Sequence, residues 1–376
     1  LYKNEKRHLN KKGSIVKAPI KVLIVDDSVL VRQMLEEMLS ADPEIEVVGT
    51  AFDPFDAREK IKALHPDVLT LDVEMPKMDG VTFLKNLMRL HPMPVVMVST
   101  LTEKGADVTF EAMDLGAVDF VTKPKINLAN TFEAYTQEIC RKIKTASKVS
   151  KASLERQYNR YIANLNAPPV LAKAISHGVG KATHASIKSS NKVIALGAST
   201  GGTEAIKEVL MRLPASTPAI VITQHIPATF SLPFAKRMNT VSEMTVYHAK
   251  DGQPILAGNV YIAPGDKHLM VVKEGGGYVC RLNNGPPVNR HKPAVDVMFR
   301  SVTDTVGSNA ICVLLTGMGA DGAVGMKEMQ AKKAPTIAQD ENTSVVWGMP
   351  GEAVKLGAAD YVLSLNKIPQ KILELV

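Results

Sequence analysis

The sequence predicts an α/β chain of two doubly wound parallel-sheet domains joined by a linker. Three observations carry that prediction. Short β-branched runs alternate with helical stretches twice over, in residues 21–145 and again in residues 192–376, and such alternation calls for a parallel sheet with helices on both faces. The 146–191 stretch between them is rich in Ser, Ala, Lys and Asn, contains Pro168-Pro169 and has only weak periodicity. At 376 residues the chain also exceeds one ordinary core.

In the first domain KVLIV (21–25), IEVVGT (45–50), DVLTL (67–71), PVVMVS (94–99) and AVDFV (117–121) read as strands. Residues 29–39, 55–64, 81–90 and 104–115 read as the helices between them, and a fifth helix around 128–146 closes the domain. Residues 1–20 have no sustained period and are expected to be mobile; the first residue is not Met, so this end reads as incomplete or processed. The linker is expected to be helical around 154–165. The second alternation begins at KVIALGA (192–198), with a helix over 203–213 and a strand AIVITQH (219–225). It continues through NVYIA (259–263), HLMVV (268–272), AICVLLTG (310–317), a helix at 322–333, PTIAQ (335–339) and DYVLSL (360–365).

Composition excludes several classes. With 45% hydrophobic and 22% charged residues the chain is ordinary globular protein, and no apolar run reaches the ~18–20 residues that span a bilayer. No secretory signal is legible at the polar, basic start. Cys140, Cys280 and Cys312 are far apart and form no C-x-x-C pair, so they read as inert thiols of a reducing cytoplasm. The net charge of +7 is unevenly placed: residues 1–21 carry +6 and residues 141–192 carry +10, which leaves −9 for the rest. The basic character therefore sits in tail and linker, where solvation explains it, and nucleic-acid recognition is not expected.

In a doubly wound sheet, functional residues gather at the carboxyl ends of the strands. Asp26 and Asp27 follow the first predicted strand, Asp72 the third, Ser99 the fourth and Lys123 the fifth. Three converging carboxylates repel one another unless a cation neutralises them, and hard oxygen ligands suit Mg²⁺. A carboxylate can also act as a nucleophile and form an acyl phosphate. A lysine would then pair with the phosphoryl group and a hydroxyl would sense it. Each of these residues alone reads equally well as a helix cap or a solvated turn.

Together, VDDS (25–28), LDVEMPKMDG (71–80), VMVST (96–100) and FVTKP (120–124) closely resemble the response-regulator receiver family over roughly residues 20–145. The resemblance implies a flavodoxin-like domain with Asp72 as phosphoacceptor and Asp26, Asp27, Asp72 and the Glu74 backbone around Mg²⁺. It implies switch roles for Ser99, Lys123 and Phe120, although plain core packing explains Phe120 equally well.

In the second domain Gly197-Ala198-Ser199-Thr200-Gly201-Gly202 joins an apolar strand to a helix. Such a turn exposes a serine at the strand's end, and the helix N-terminus offers N–H groups to an oxyanion. Read alone, the turn fits G-x-S-x-G but also phosphate binding. A serine nucleophile needs a base and the base an orienting acid. His225 closes a predicted strand and Asp321 follows another, so all three fall at one sheet edge. Their order, Ser–His–Asp, argues against an α/β-hydrolase, in which the acid precedes the histidine.

GASTGGTEAI, TQHIP, YIAPGDKH, GPPVNRHKPAVDVMF, LLTGMGADG and GMPGEAV resemble the catalytic domain of chemotaxis protein-glutamate methylesterases, the CheB family, over about 192–370. This resemblance implies a Rossmann-like sheet with Ser199 as nucleophile, His225 as general base and then acid, Asp321 as orienting carboxylate, and Thr200 and Met318 near the oxyanion. It implies hydrolysis of glutamyl methyl esters on chemoreceptors, with deamidation of receptor glutamines as a second activity and no cofactor for the ester chemistry. A chemotaxis histidine kinase would supply phosphate, and the unphosphorylated receiver would occlude the cleft. A cytoplasmic monomer without membrane insertion is expected. Asp266, His268 and the 289–291 group could line the cleft or merely fix loops. Two rival classes are a DNA-binding response regulator, for which 192–376 holds no helix-turn-helix signal, and a decayed scaffold, against which the intact Ser199, His225 and Asp321 speak.

Overall fold

A computed structural model describes residues 7–9, 15–100, 103–123, 129–166 and 192–376. The chain divides into two compact units, 1–158 and 159–376. In the first, β1 (Arg7–Leu9) and β2 (Ile15–Lys17) pair antiparallel as a separate ribbon, within the segment read above as lacking periodic structure. Then follow β3 (Ile20–Val25), α1 (Val29–Ser40), β4 (Ile45–Ala51), α2 (Pro54–Leu64), β5 (Val68–Asp72), α3 (Gly80–Leu90), β6 (Val95–Ser99), α4 (Glu103–Leu115), β7 (Asp119–Thr122) and α5 (Ala129–Ala146). The strands form one parallel sheet in the order β4-β3-β5-β6-β7. Strands β5 and β6 are buried along their whole length, as β-branched runs covered on both faces must be.

The first three helices start at side-chain caps. Asp53 accepts from the amides of Phe55 and Asp56 with Pro54 in the first turn, and Asp79 accepts from Thr82 N at 2.7 Å. The chain returns so tightly to β5 at Gly80 that a Cβ there would lie 1.9 Å from the Asp72 carbonyl oxygen. The expected linker helix is present as α6 (Lys151–Asn166). Its first half belongs to this unit: Leu154 and Tyr158 are buried, and Gln157 Nε2 donates to Met113 O at 2.9 Å. Residues 167–191 of the expected linker lie outside the described residues.

The second unit runs β8 (Val193–Ala198), α7 (Gly202–Leu210), β9 (Ala219–Gln224), α8 (Ala228–Val241), β10 (Thr245–His248), β11 (Asn259–Ile262), β12 (His268–Glu274), β13 (Gly277–Asn283), α9 (Val295–Thr305), β14 (Ala310–Leu314), α10 (Ala323–Ala331), β15 (Thr336–Gln339), α11 (Met349–Lys355), β16 (Tyr361–Leu363) and α12 (Ile368–Leu375). Seven strands make a parallel sheet ordered β10-β11-β9-β8-β14-β15-β16. One expectation changes here. The 268–272 run does not extend this sheet but pairs antiparallel with β13 in a hairpin of its own. Its inward residues, Leu269, Val271 and Cys280, join the core formed with Met298, Phe299 and Val302 of α9. The strand order reverses beside β8, whose neighbours β9 and β14 lead away in opposite directions, the position at whose carboxyl edge sheets of this kind place their sites.

The three cysteines are buried and unbridged, and burial pushes the Cys140 thiol up to about 11 and Cys280 up to about 12, as inert core thiols require. Among the described residues no helix is long and apolar enough to cross a membrane. Gly80→Ala should destabilise the first unit by about 1–3 kcal/mol or more, because backbone rather than a flexible side chain must yield; urea denaturation followed by circular dichroism measures it, and an unshifted midpoint would contradict the packing described.

Candidate functional site

At the carboxyl edge of the first sheet, Lys123 Nζ lies 2.8 Å from Asp72 Oδ2 and 3.1 Å from Asp26 Oδ2. One oxygen each from Asp26, Asp27 and Asp72 falls within 4.8 Å of the others, with Asp26 and Asp72 buried and Asp27 exposed. Burial, reinforced by the charge of Asp26, pushes the Asp72 carboxyl up to about 6 against the pull of Lys123 and the Glu74 amide. Burial also raises Asp26 despite Lys123. For Lys123 burial works downward, but Asp72 and Asp26 outweigh it and hold the ammonium above its usual value. Both Asp72 side-chain oxygens and Asp26 Oδ2 are buried without a well-directed hydrogen bond. Buried carboxylate oxygens in excess of the cationic charge suit a hard divalent cation, and this donor set fits Mg²⁺.

Around this cluster, Ser99 is buried with its Oγ 2.8 Å from Thr109 Oγ1 of α4. Phe120 points inward, edge-on to Phe110 at 6.1 Å between centroids, with Lys142 Nζ 5.2 Å from its ring centre. The Glu74 side chain is exposed.

At the carboxyl edge of the second sheet, Ser199 follows β8, His225 follows β9 and Asp321 lies beyond β14. Ser199 is pinned through its backbone: its N–H donates to Thr316 O at 3.0 Å, and its carbonyl accepts from Gly202 N at 2.7 Å and Gln224 Nε2 at 2.9 Å. Gln224 Nε2 also donates to His225 O at 3.1 Å, tying the two residues together. A Cβ at Gly317 would fall 2.7 Å from Ser199 Cβ, so the loop that carries Met318 passes directly beside the serine. Thr200 is buried, and its carbonyl accepts from Thr316 Oγ1 at 3.0 Å.

His225 Nε2 lies 2.8 Å from Asp321 Oδ2, while Nδ1 is buried without a hydrogen-bond partner. An ionised Asp321 requires the Nε2–H tautomer, so Nδ1 is the nitrogen free to accept a proton. Ser199 Oγ and His225 make no hydrogen bond to each other. Asp321 itself is the most heavily bonded group at this edge. Its Oδ2 also accepts from Val295 N at 2.7 Å, and its Oδ1 accepts from Asn289 Nδ2 at 2.8 Å and Asp296 N at 3.1 Å. Burial pushes this carboxyl up, but His225, then Asn289 and the Val295 amide, outweigh it and hold it at about 2.

The 288–291 segment is a two-residue turn. Val288 and His291 exchange backbone hydrogen bonds at 3.0 and 2.9 Å, and Asn289 and Arg290 between them have φ of 52° and 66°, the pattern of a type I′ turn. The turn brings Asn289 to Asp321 and lays the His291 ring flat on His225, 3.8 Å between centroids and 5° between planes. His268 fixes a loop rather than lining a cleft: Nδ1 accepts from Ala294 N at 3.1 Å and Nε2 donates to Pro286 O at 3.0 Å. Asp266 is exposed.

Comparison with known proteins identifies both units. Residues 194–372 match the CheB methylesterase family model, and residues 22–133 match the response regulator receiver domain. A protein-glutamate methylesterase/protein-glutamine glutaminase of Hydrogenovibrio crunogenus is 74% identical over 95% of this chain and 99% of its own. The chain belongs to the CheB methylesterase family. A second relative of that name, from Xanthomonas campestris pv. campestris, is 53% identical over 96% of this chain and 98% of its own. The catalytic domain of Thermotoga maritima CheB methylesterase, a solved structure, is 40% identical and covers 49% of this chain and 98% of that one, with a TM-score of 0.48.

Within this CheB-family chain, sequence reasoning undervalued Gln224, Thr316 and Asn289, whose contacts depend on loops that no local periodicity reveals. A polar residue directly before His225 was the one available signal for Gln224.

The raised Asp72 carboxyl has a measurable consequence. An acid raised by folding holds its proton more tightly in the folded state, so its contribution is fully present below the unfolded value of 3.8 and is lost as pH rises through about 6. Asp72→Asn should therefore stabilise the receiver near pH 7.5 in chelator, by up to about 3 kcal/mol, with the gain shrinking near pH 4. Thermal melts at both pH values measure this, and an equal gain at both would contradict it.

Proposed function

We propose that this chain is a phosphorylation-activated methylesterase that hydrolyses glutamyl methyl esters on chemoreceptors, and that it deamidates receptor glutamines by the same chemistry. The observation that carries the reading is the His225 ring, bonded through Nε2 to a firmly ionised Asp321 with Nδ1 left uncommitted, on a backbone that Gln224 Nε2 ties to that of Ser199. Ser199 Oγ attacks the ester carbonyl and gives its proton to His225 Nδ1. The C–O bond to methanol then breaks, with His225 returning the proton to the leaving oxygen. Water, deprotonated by His225, attacks the acyl-enzyme, and Ser199 Oγ leaves with that proton as glutamate is released. With a glutamine substrate the group that leaves is ammonia. Thr200 and Met318, at the turn and loop flanking Ser199, are assigned to the oxyanion.

In the receiver, Asp72 attacks the phosphoryl group of a phosphorylated histidine kinase, forming an acyl phosphate as the kinase imidazole leaves. Asp26, Asp27, Asp72 and the Glu74 backbone would hold Mg²⁺, which when bound offsets the negative charge of carboxylates and phosphoryl oxygens. Lys123 then pairs with the phosphoryl group, and Ser99 and Phe120 relay its presence. The unphosphorylated receiver occludes the catalytic cleft, and phosphorylation shifts that equilibrium toward open forms. The enzyme is assigned to the cytoplasm and works as a monomer, with no cofactor for ester hydrolysis and no nucleic-acid partner.

Methanol release from a methylated receptor fragment tests the chemistry: Ser199→Ala should abolish it, and persistent release would refute the nucleophile. Regulation is tested separately with a small phosphodonor. It should stimulate the wild type but not Asp72→Ala, and equal stimulation of both would rule out the switch.

A further inference from the structure

The 288–291 turn contains one residue that neither its packing nor the reaction above explains. Asn289 and His291 both face the triad, through Asp321 and His225. Arg290 stands between them, exposed, and makes no hydrogen bond or ion pair with any described residue. Its φ is 66°. That left-handed conformation suits glycine in the second central position of such a turn, whereas a long side chain is strained there. The strain is held in place from outside the turn, since His268 bonds Pro286 O on one side and Ala294 N on the other. A strained residue kept at the rim of a site, where a commoner residue would fit better, marks a functional constraint.

Charge indicates the constraint. Asp321 and Asp296 are both buried behind the turn, sharing Asn289 Nδ2 at 2.8 and 2.7 Å. The neighbouring Lys292 is turned onto Asn284 Oδ1 at 3.1 Å. An acidic polypeptide approaching Ser199 therefore meets two fixed carboxylates, with the Arg290 guanidinium as the uncommitted cation of this turn. The geometry points to Arg290 as a specificity residue that takes a carboxylate of the substrate chain flanking the scissile glutamyl group. The planar guanidinium matches a carboxylate in bidentate fashion, which a lysine cannot reproduce. This inference rests on the esterase reading, and it adds that the substrate segment is acidic around the reacting residue.

The test uses the full chain activated with a small phosphodonor and two helical peptides carrying one glutamyl methyl ester, flanked by glutamates in one and by serines in the other. Wild type should favour the acidic peptide in kcat/KM by about tenfold at low salt, and the preference should shrink as ionic strength rises. Arg290→Gly should remove the preference, Arg290→Lys should keep part of it, and Arg290→Glu should invert it. Arg290→Gly should also keep or slightly raise the thermal midpoint, since glycine adopts this φ without strain. A preference that survives in Arg290→Gly, or equal hydrolysis of both peptides by wild type, overturns the inference while the esterase stands. Hydrolysis of neither peptide by wild type overturns the esterase reading and this inference with it.

Discussion

A single buried carboxylate organises the catalytic unit. Asp321 is 2% exposed, and it accepts hydrogen bonds from His225, Asn289 and the amides of Val295 and Asp296. A buried charge is tolerable only when it is paired and fully bonded, so the segments that supply those donors have little freedom. The amides come from the first turn of α9, where free N–H groups and the helix dipole favour an anion. Asn289 comes from a turn with two residues at positive φ, and that same turn stacks His291 on His225. Asp296 extends the arrangement by accepting from Gly325 N at 2.8 Å at the start of α10. Removing the carboxylate would leave several segments without their common partner.

The two sites use aspartate burial in opposite ways. Asp72 is buried with another carboxylate and more acceptor oxygens than donors, so its carboxyl rises to about 6. Asp321 is buried among donors and falls to about 2. The first arrangement is poised to gain an electrophile or a cation, because either relieves the excess negative charge. The second stays ionised and keeps His225 in one tautomer. Environment, more than residue type, moves the two carboxyls in opposite directions from their ordinary value.

Much of this was legible in the sequence. The five strands of the receiver's parallel sheet showed as short runs rich in β-branched residues, and the carboxyl ends of those runs located Asp26, Asp72, Ser99 and Lys123. Ser199, His225 and Asp321 were placed on one edge by the same rule. What stayed hidden depended on longer-range contacts. Helix α8 carries Pro233 inside it, which interrupts the local helix signal. Strand β12 has the same apolar composition as a sheet strand, and only its pairing with β13 reveals a hairpin. Asn289, Arg290 and His291 lie next to one another, yet two face the triad and one faces solvent, a division created by a turn that carries no glycine.

The proposed roles of Ser199 as nucleophile and of the receiver as its regulator are open to one direct measurement. Labelling the full chain with a fluorophosphonate and locating the adduct by peptide mass spectrometry, before and after treatment with a small phosphodonor, tests both parts at once. An adduct is expected on the peptide carrying Ser199, forming faster once Asp72 is phosphorylated. Labelling at another serine, such as Ser231 beside His248 at 3.0 Å, or a rate at Ser199 indifferent to phosphodonor, would contradict it.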